Sequence, residues 1–264
     1  MENYLSKASS NGTPLVSIVT VVFNAGRTIE ETIQSVLTQS YKNIEYIIID
    51  GKSNDSTVDV IKKHESSIKY WISEIDSGVY DAMNKGIDQS KGDWLIFLGA
   101  DDKLFDELVI EKLIIATQLD QKGQENPLVI FGNTLYSSGK YFRSFVNVRT
   151  LIRNTIQHQS AIYHKSLFNN FRYDSSLRIN SDYELNLILY LKNIQVKYIN
   201  STIAVCSCGG LSTDFNNARQ AVEEFSKIRI KYISALPNKI INFLLNTRLS
   251  IKILMRRFIF PNRT

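Results

Sequence analysis

The sequence predicts an α/β protein with a Rossmann-like, mostly parallel central sheet flanked by helices and a helical extension at its C-terminus. Three observations predict it. Continuous apolar, β-branched runs recur at Val16–Phe23, Ile44–Ile49 and Trp94–Leu98, as strands buried on both faces require. Segments with helical spacing lie between them, and strands alternating with helices imply parallel βαβ units. Past residue 215 the composition changes to basic and apolar with helical periodicity.

The elements follow in order. Val16–Phe23 (VSIVTVVF) opens the sheet and Asn24-Ala25-Gly26 ends that strand. The next helix places Ile29, Ile33, Val36 and Leu37 at i, i+4, i+7 and i+8. Ile44–Ile49 is the second strand and Asp50-Gly51 closes it. Ser53 to Asp55 then offers N-caps for a helix through Val58 and Ile61. Ile68–Ile72 predicts a shorter strand, Val79–Asp88 a helix and Trp94–Leu98 a buried strand. The second half is more mixed. Val129–Asn133, Lys140–Phe145, Ser160–Tyr163, Val196–Ile199 and Ile203–Cys208 read as strands, and Asp182–Leu191 as a helix.

With 264 residues, 44% hydrophobic, the chain can bury a substantial core. We divide it into a polar tail (1–13), a central domain (14–215, with halves 14–105 and 106–215) and a basic amphipathic extension (216–264). No apolar run opens the chain as in a signal peptide, and none is long enough to span a bilayer. Cys206 and Cys208 are too close for an easy disulfide and too few for a four-cysteine zinc site; this usage fits a reducing cytoplasm. The net charge of +5 is unevenly spread: residues 225–264 hold nine Lys/Arg and no Asp or Glu, leaving 22 basic and 26 acidic residues before them.

In open parallel sheets ligands bind beyond the carboxyl ends of the strands. Asn24, Asp50 and the Asp101-Asp102 pair stand at such ends. Adjacent carboxylates repel each other, and a bound cation relieves this; hard oxygen donors suit Mg²⁺ or Mn²⁺, which would offset a diphosphate. An exposed helix cap explains the pair equally well when it is taken alone.

Four ordered blocks change that balance: Pro14 to Thr20 ending in Phe23-Asn24; Ile49-Asp50-Gly51-Lys52-Ser53-Asn54-Asp55-Ser56-Thr57; Glu74-Ile75-Asp76-Ser77-Gly78-Val79-Tyr80-Asp81-Ala82-Met83-Asn84-Lys85-Gly86-Ile87; and Gly92-Asp93-Trp94 through Phe97-Leu98-Gly99-Ala100-Asp101-Asp102. With these the chain, over Pro14 to Leu211, resembles the family 2 glycosyltransferases of the A-type fold, and the third block is similar to bacterial exopolysaccharide and lipopolysaccharide repeat-unit transferases. The resemblance implies that Asp50 accepts a hydrogen bond from the base, most often uracil, with Thr20 and Asn24 lining that pocket. Asp101 would lie near the ribose or donor sugar and Asp102 would ligate the metal. Asn84 and Lys85 would face the donor, and Asp76 and Asp81 would contact donor or metal. Asp182, in Asn180-Ser181-Asp182-Tyr183-Glu184, matches the acidic base of an inverting transfer, with Glu184 as second choice; helix capping is the structural alternative. His158, in a His-Gln pair, would contact substrate or metal, or be a hydrogen-bonded structural histidine. Gly209-Gly210-Leu211-Ser212 matches a loop near the diphosphate. Two positions depart from the family pattern: Gly99 where another Asp is common, and Met83 where an Arg is.

Other readings are a sugar-nucleotide-forming nucleotidyltransferase, a non-catalytic sugar-binding module and a membrane-surface scaffold. Gly51-Lys52-Ser53 is not a phosphate-binding P-loop, because position 46 is Tyr rather than Gly, and no dinucleotide glycine motif follows the first strand.

The extension carries Arg248, Lys252 and Arg256 on one stripe, with Ile241, Leu244, Leu245, Ile251, Leu254, Met255, Phe258 and Ile259 on a broad apolar face. That is the composition of a helix lying on an anionic membrane; packing on its own core or in a homodimer is the alternative. The expected partners are therefore a nucleotide-sugar donor, a glycan or lipid-linked acceptor and the inner face of the cytoplasmic membrane. No nucleic-acid motif accompanies the charge.

Overall fold

The computed structural model describes residues 13–118, 126–208, 217–234 and 237–247. The Gly209–Ser212 loop and the Arg248/Lys252/Arg256 stripe fall outside them.

Strand β1 (Val16–Val22) is central, with β2 (Ile44–Asp50) and β4 (Trp94–Gly99) beside it and β3 (Tyr70–Ser73) outside β2, all parallel. Helices α1 (Ile29–Leu37), α2 (Thr57–Lys63) and α3 (Val79–Gln89) make the connections. The apolar runs are buried along their length, so alternate residues face two layers. Val16, Ile18, Tyr46, Ile48, Ile96 and Leu98 pack against α1, α2 and α4 (Val109–Gln118). Val19, Ile47, Ile49, Leu95 and Phe97 pack against α3 and α5 (Ser181–Leu191).

Beyond β4 the sheet is mixed. Its order is β3-β2-β1-β4-β8-β6-β9-β5, with β7 (Tyr141–Arg143) on β6. β8 (Ala161–His164) runs antiparallel to both β4 and β6 (Val129–Tyr136). β9 (Val196–Cys206) runs parallel to β6, and β5 (Lys103–Leu104) antiparallel to β9. The two strands expected at Val196–Ile199 and Ile203–Cys208 are this one strand, which passes through Asn200-Ser201 where its register with β6 shifts.

The C-terminal segment continues as α6 (Ala218–Tyr232), with helical turns over 237–247 that we label α7. α6 is not a detached appendage. Tyr183, Leu187, Phe225 and Ile228 form a small core between α5 and α6, and the Tyr183 and Phe225 rings meet edge-to-face at 4.6 Å.

Candidate active site

The carboxyl ends of β1 and β2 and the loop after β3 open on a shared cleft, and hydrogen bonds between loops set its rim. Asn24 sits at φ 50°, where its backbone N–H donates to Ser53 Oγ (2.8 Å) and its side-chain oxygen accepts from Asn54 N (2.9 Å). Gly26 N donates to Asp55 Oδ2 and Ala25 N to Thr57 Oγ1. Four hydrogen bonds therefore tie the β1–α1 and β2–α2 loops to each other. Lys52 has φ 65°, a left-handed conformation costly for a long side chain, and such outliers concentrate at functional sites.

Asp50 is wholly buried. Ser53 Oγ donates to its Oδ1, while Ser53 N and Ser73 Oγ donate to its Oδ2. In this arrangement its carboxylate holds the 51–54 loop from beneath. Thr20 is also interior and shares a 3.0 Å hydrogen bond with Tyr46 Oη.

A cleft of about 840 Å³ lies above them, lined by Phe23, Gly51, Lys52, Ile75, Asp76, Leu177 and Arg178. Phe23 is 64% exposed and Ile75 73% exposed; large apolar side chains presented within a cleft suit a flat ligand. Asp76 accepts from Gly78 N, and its pKa is raised, chiefly by burial. A Cβ on Gly51 would come within 2.6 Å of Asp76 Oδ2, so glycine lets this carboxylate approach the loop. Asp81 accepts from Ser77 N. Lys85 is committed locally to Glu74 (2.8 Å) and Ile75 O (3.1 Å), which raises its pKa. Asn84 spends its amide on the backbone of Tyr173, accepting from N and donating to O. It is a clamp between α3 and the loop before α5.

The acidic pair is placed differently. Asp101 is exposed and accepts from Ser207 Oγ. Asp102 is 5% exposed; its Oδ2 accepts from Gly99 N (3.1 Å) and Gln159 Nε2 (2.9 Å). Burial first and the neighbouring Asp101 charge second push its pKa up. A Cβ on Gly99 would lie 2.8 Å from Asp102 Oδ2 and 3.1 Å from Asp101 Oδ1. Both carboxylates therefore converge over the space that glycine leaves. Gln159 Oε1 is buried there without a partner. Oxygen donors around a gap fit a hard divalent cation that keeps part of its shell for substrate and water. Among the described residues no cluster of three or more His, Cys, Asp or Glu could hold a metal unaided, so ligand oxygens would have to complete such a site.

Asp182, in the first turn of α5, is 8% exposed. Its Oδ2 accepts from Asn154 Nδ2 (2.6 Å) and lies 3.3 Å from His158 Nδ1. Its Oδ1 lies 3.1 Å from Tyr80 Oη. Burial and the Asp182 charge push the Tyr80 hydroxyl well above its ordinary pKa, which keeps it a donor. The adjacent residues His158 and Gln159 thus reach one carboxylate each, Asp182 and Asp102. Glu184 is turned away, because two residues of helix rotate a side chain by about 200°. It accepts instead from Lys231 Nζ (3.1 and 3.2 Å) and Tyr232 Oη (2.8 Å) on α6.

A model of the glycosyl transferase family 2 matches residues 17–219. The chain belongs to this family. It is a glycosyltransferase, and relatives that share its sequence carry that activity in their names. A PGL/p-HBAD biosynthesis glycosyltransferase, of Mycobacterium bovis and of Mycobacterium tuberculosis, is 27% identical over 208 residues, 75% of this chain and 79% of its own. An uncharacterized glycosyltransferase of Mycobacterium tuberculosis is 40% identical over 120 residues, 45% of each chain. Among solved structures, S. aureus TarS 1-349 in complex with UDP-GlcNAc superposes with a TM-score of 0.65 at 15% identity, covering 93% of this chain and 73% of that one. The mannosyltransferase PcManGT from Pyrobaculum calidifontis, in complex with GDP-Man and Mn²⁺, gives 0.64 at 12% identity, covering 90% and 70%. At these identities the superpositions establish the shared fold.

Within this glycosyltransferase the structure brings Asp101, Asp102, His158 and Asp182 into one linked cluster, with Asn24 and Asp76 at the neighbouring cleft. It sets Thr20 and Asp50 beneath the cleft floor, ties Asn84 to the Tyr173 backbone and Lys85 to Glu74 and Ile75, and turns Glu184 toward α6. Phe23, Ile75, Tyr80, Asn154 and Gln159 join the site through geometry. Phe23, Ile75 and Tyr80 stood inside the quoted blocks and Gln159 beside His158, but without roles of their own; Asn154 had no sequence signal.

Proposed function

We propose that this glycosyltransferase is metal-dependent and inverting, and moves a sugar from a UDP-sugar to a hydroxyl of a glycan or lipid-linked acceptor in bacterial cell-envelope polysaccharide synthesis. The observation that carries the reading is the bridge His158-Gln159, which links a carboxylate suited to the donor's metal to one suited to the acceptor's proton. UDP is favoured by the TarS complex and a divalent metal by the PcManGT complex.

In this reading Phe23 and Ile75 flank the base, and Asn24 and Asp50 hold the loops that frame it. Asp102 and Asp101 would hold Mg²⁺ or Mn²⁺, which would offset the charge of the leaving diphosphate. Asp182 takes the acceptor hydroxyl's proton as that oxygen bonds to the anomeric carbon. The bond from that carbon to the diphosphate oxygen breaks in the same displacement, inverting the centre. Asn154, His158 and Tyr80 orient the Asp182 carboxylate, and burial excludes competing water. The deciding experiment is a thermal-shift screen with UDP, GDP, dTDP and CDP, each with and without Mn²⁺. A manganese-dependent rise with UDP, lost in Asp102→Ala, is expected. No rise with any nucleotide, in folded protein, overturns the donor-site reading.

We also place the enzyme at the inner face of the cytoplasmic membrane. α7 exposes Ile240 (55%), Phe243 (70%) and Leu244 (61%) at i, i+3 and i+4 within a segment that has no acidic residue, the pairing an anionic interface attracts. Among the described residues no helix is long and apolar enough to cross a membrane. Flotation with vesicles containing phosphatidylglycerol is expected, little with phosphatidylcholine alone, and a loss of binding of about tenfold in Phe243→Ser/Leu244→Ser. Equal flotation of wild type and double variant would sink this placement.

A further inference from the structure

Glu224 on α6 is 3% exposed, yet it makes no ion pair among the described residues. Its carboxylate instead accepts three consecutive backbone N–H groups: Arg178 (3.0 Å) on Oε1, Ile179 (2.9 Å) and Asn180 (2.9 Å) on Oε2. Gln220 Nε2 adds a fourth donor at 3.1 Å, and Asn180 Nδ2 returns a bond to Ala221 O. Successive N–H groups converging on an anion form a nest, and charged acceptors make the stronger hydrogen bonds. The Glu224 carboxylate and the 178–180 backbone thus satisfy each other, with Gln220 assisting, so neither relaxes without exposing the other.

The segment so gripped leads directly into the site. Residues 178–180 run into the first turn of α5, whose N-cap residue Asn180 makes no side-chain cap. Asp182 follows two residues later. Ile179 O accepts from Tyr80 Oη (2.7 Å), the same hydroxyl that lies 3.1 Å from Asp182 Oδ1. Leu177 and Arg178 wall the large cleft. The grip thus sets the base helix, the tyrosine beside it and one wall of the cleft. Glu224 lies beyond residue 219, where the family match ends.

We propose that Glu224 is a positioning residue for Asp182, and that α6 is therefore part of the catalytic apparatus rather than an appended helix. The proposal rests on the reading of Asp182 as the base, and its test separates the two. The ring signals of His158, 3.3 Å from Asp182, report on the Asp182 carboxylate by NMR without any substrate, with His64 and His164 as internal references. In Glu224→Gln, which keeps the shape but presents an amide to the three N–H groups, the His158 signals move toward their position in Asp182→Asn. In Tyr232→Phe, which takes a hydrogen bond from the same helix without touching residues 178–180, they stay. Glu224→Asp, charged but one methylene short, falls between, and serves if the glutamine variant does not fold. His158 unmoved in a folded Glu224 variant overturns the proposal, whatever happens to the melting temperature. In turnover with a UDP-sugar, Glu224→Gln lowers kcat at least tenfold and adds less than about twofold to the loss in Asp182→Asn, since residues acting as one unit are non-additive. Full additivity also overturns it. If Asp182→Asn leaves kcat unchanged, the base assignment fails, and the NMR result still decides whether Glu224 positions that carboxylate.

Discussion

Replacing Asp182 by Asn is expected to lower kcat by about 10²–10⁴, the range that a positioned general base contributes, while UDP binding with Mn²⁺ changes less than threefold. Asn is isosteric. Its oxygen still accepts from Asn154 or Tyr80, so the first turn of α5 keeps its packing and only the proton acceptor is lost. The binding arm holds because Asp182 touches Tyr80, Asn154 and His158, none of which lines the large cleft. The measurement is UDP release from a UDP-sugar at saturating donor, paired with the thermal shift. Glu184→Gln is the contrast. That side chain meets Lys231 and Tyr232, so the variant is expected to melt earlier and turn over within a few-fold of wild type. Reversed effects of the two substitutions would assign the base to Glu184 and require α6 to leave α5.

What the sequence disclosed and what it withheld divide along physical lines. Strands β1, β2 and β4 were legible because both faces are covered, so the runs are apolar apart from the buried Ser17, Thr20 and Glu45. Their carboxyl ends, with Asn24, Asp50 and Asp101-Asp102, were then located by topology alone. The β4-β8-β6-β9 order was not legible, since pairing across long connections, antiparallel on both sides of β8 and parallel between β6 and β9, leaves no local signature. The polar pair Asn200-Ser201 disguised β9 as two strands, because the register shift that accommodates it depends on β6. Among site residues, Asn84 reads as a ligand contact, yet its partners are main-chain atoms of Tyr173, 89 positions away. Helical rotation separates Asp182 from Glu184, but which of them faces the cluster depended on where α6 docks. Asn154 carries no pattern at all, and Gln159 shows only as the partner of His158 in a His-Gln pair; the carboxylate each holds is visible only in the fold.

Asp102→Asn should separate stability from function most sharply. Burial and the Asp101 charge raise the Asp102 pKa in the folded protein. A raised carboxylate favours folding in its protonated form, so that contribution is complete below the unfolded pKa and is lost as pH rises through the folded value. Without metal, holding the Asp102 charge in its buried place is therefore a net cost to folding, which a bound cation would offset. Asn removes the cost. Its side-chain oxygen can accept from Gly99 N, and its NH₂ can donate to Gln159 Oε1, the atom without a partner in the wild type. The metal-free variant is expected to melt about 2–4 °C higher at pH 7, corresponding to roughly 1 kcal/mol, with the gain shrinking as pH falls toward the protonation of Asp102. The same variant should lose the manganese-dependent rise with UDP and about 10³-fold in turnover, the scale on which a group stabilising transition-state charge is felt. A variant that melts higher and no longer senses manganese would show the folded chain holding its charged pair against its own stability, the trade expected of a metal site. A lower melting temperature with manganese sensing intact would instead make Asp102 a structural acceptor for Gly99 and Gln159, and would move the metal to other oxygens.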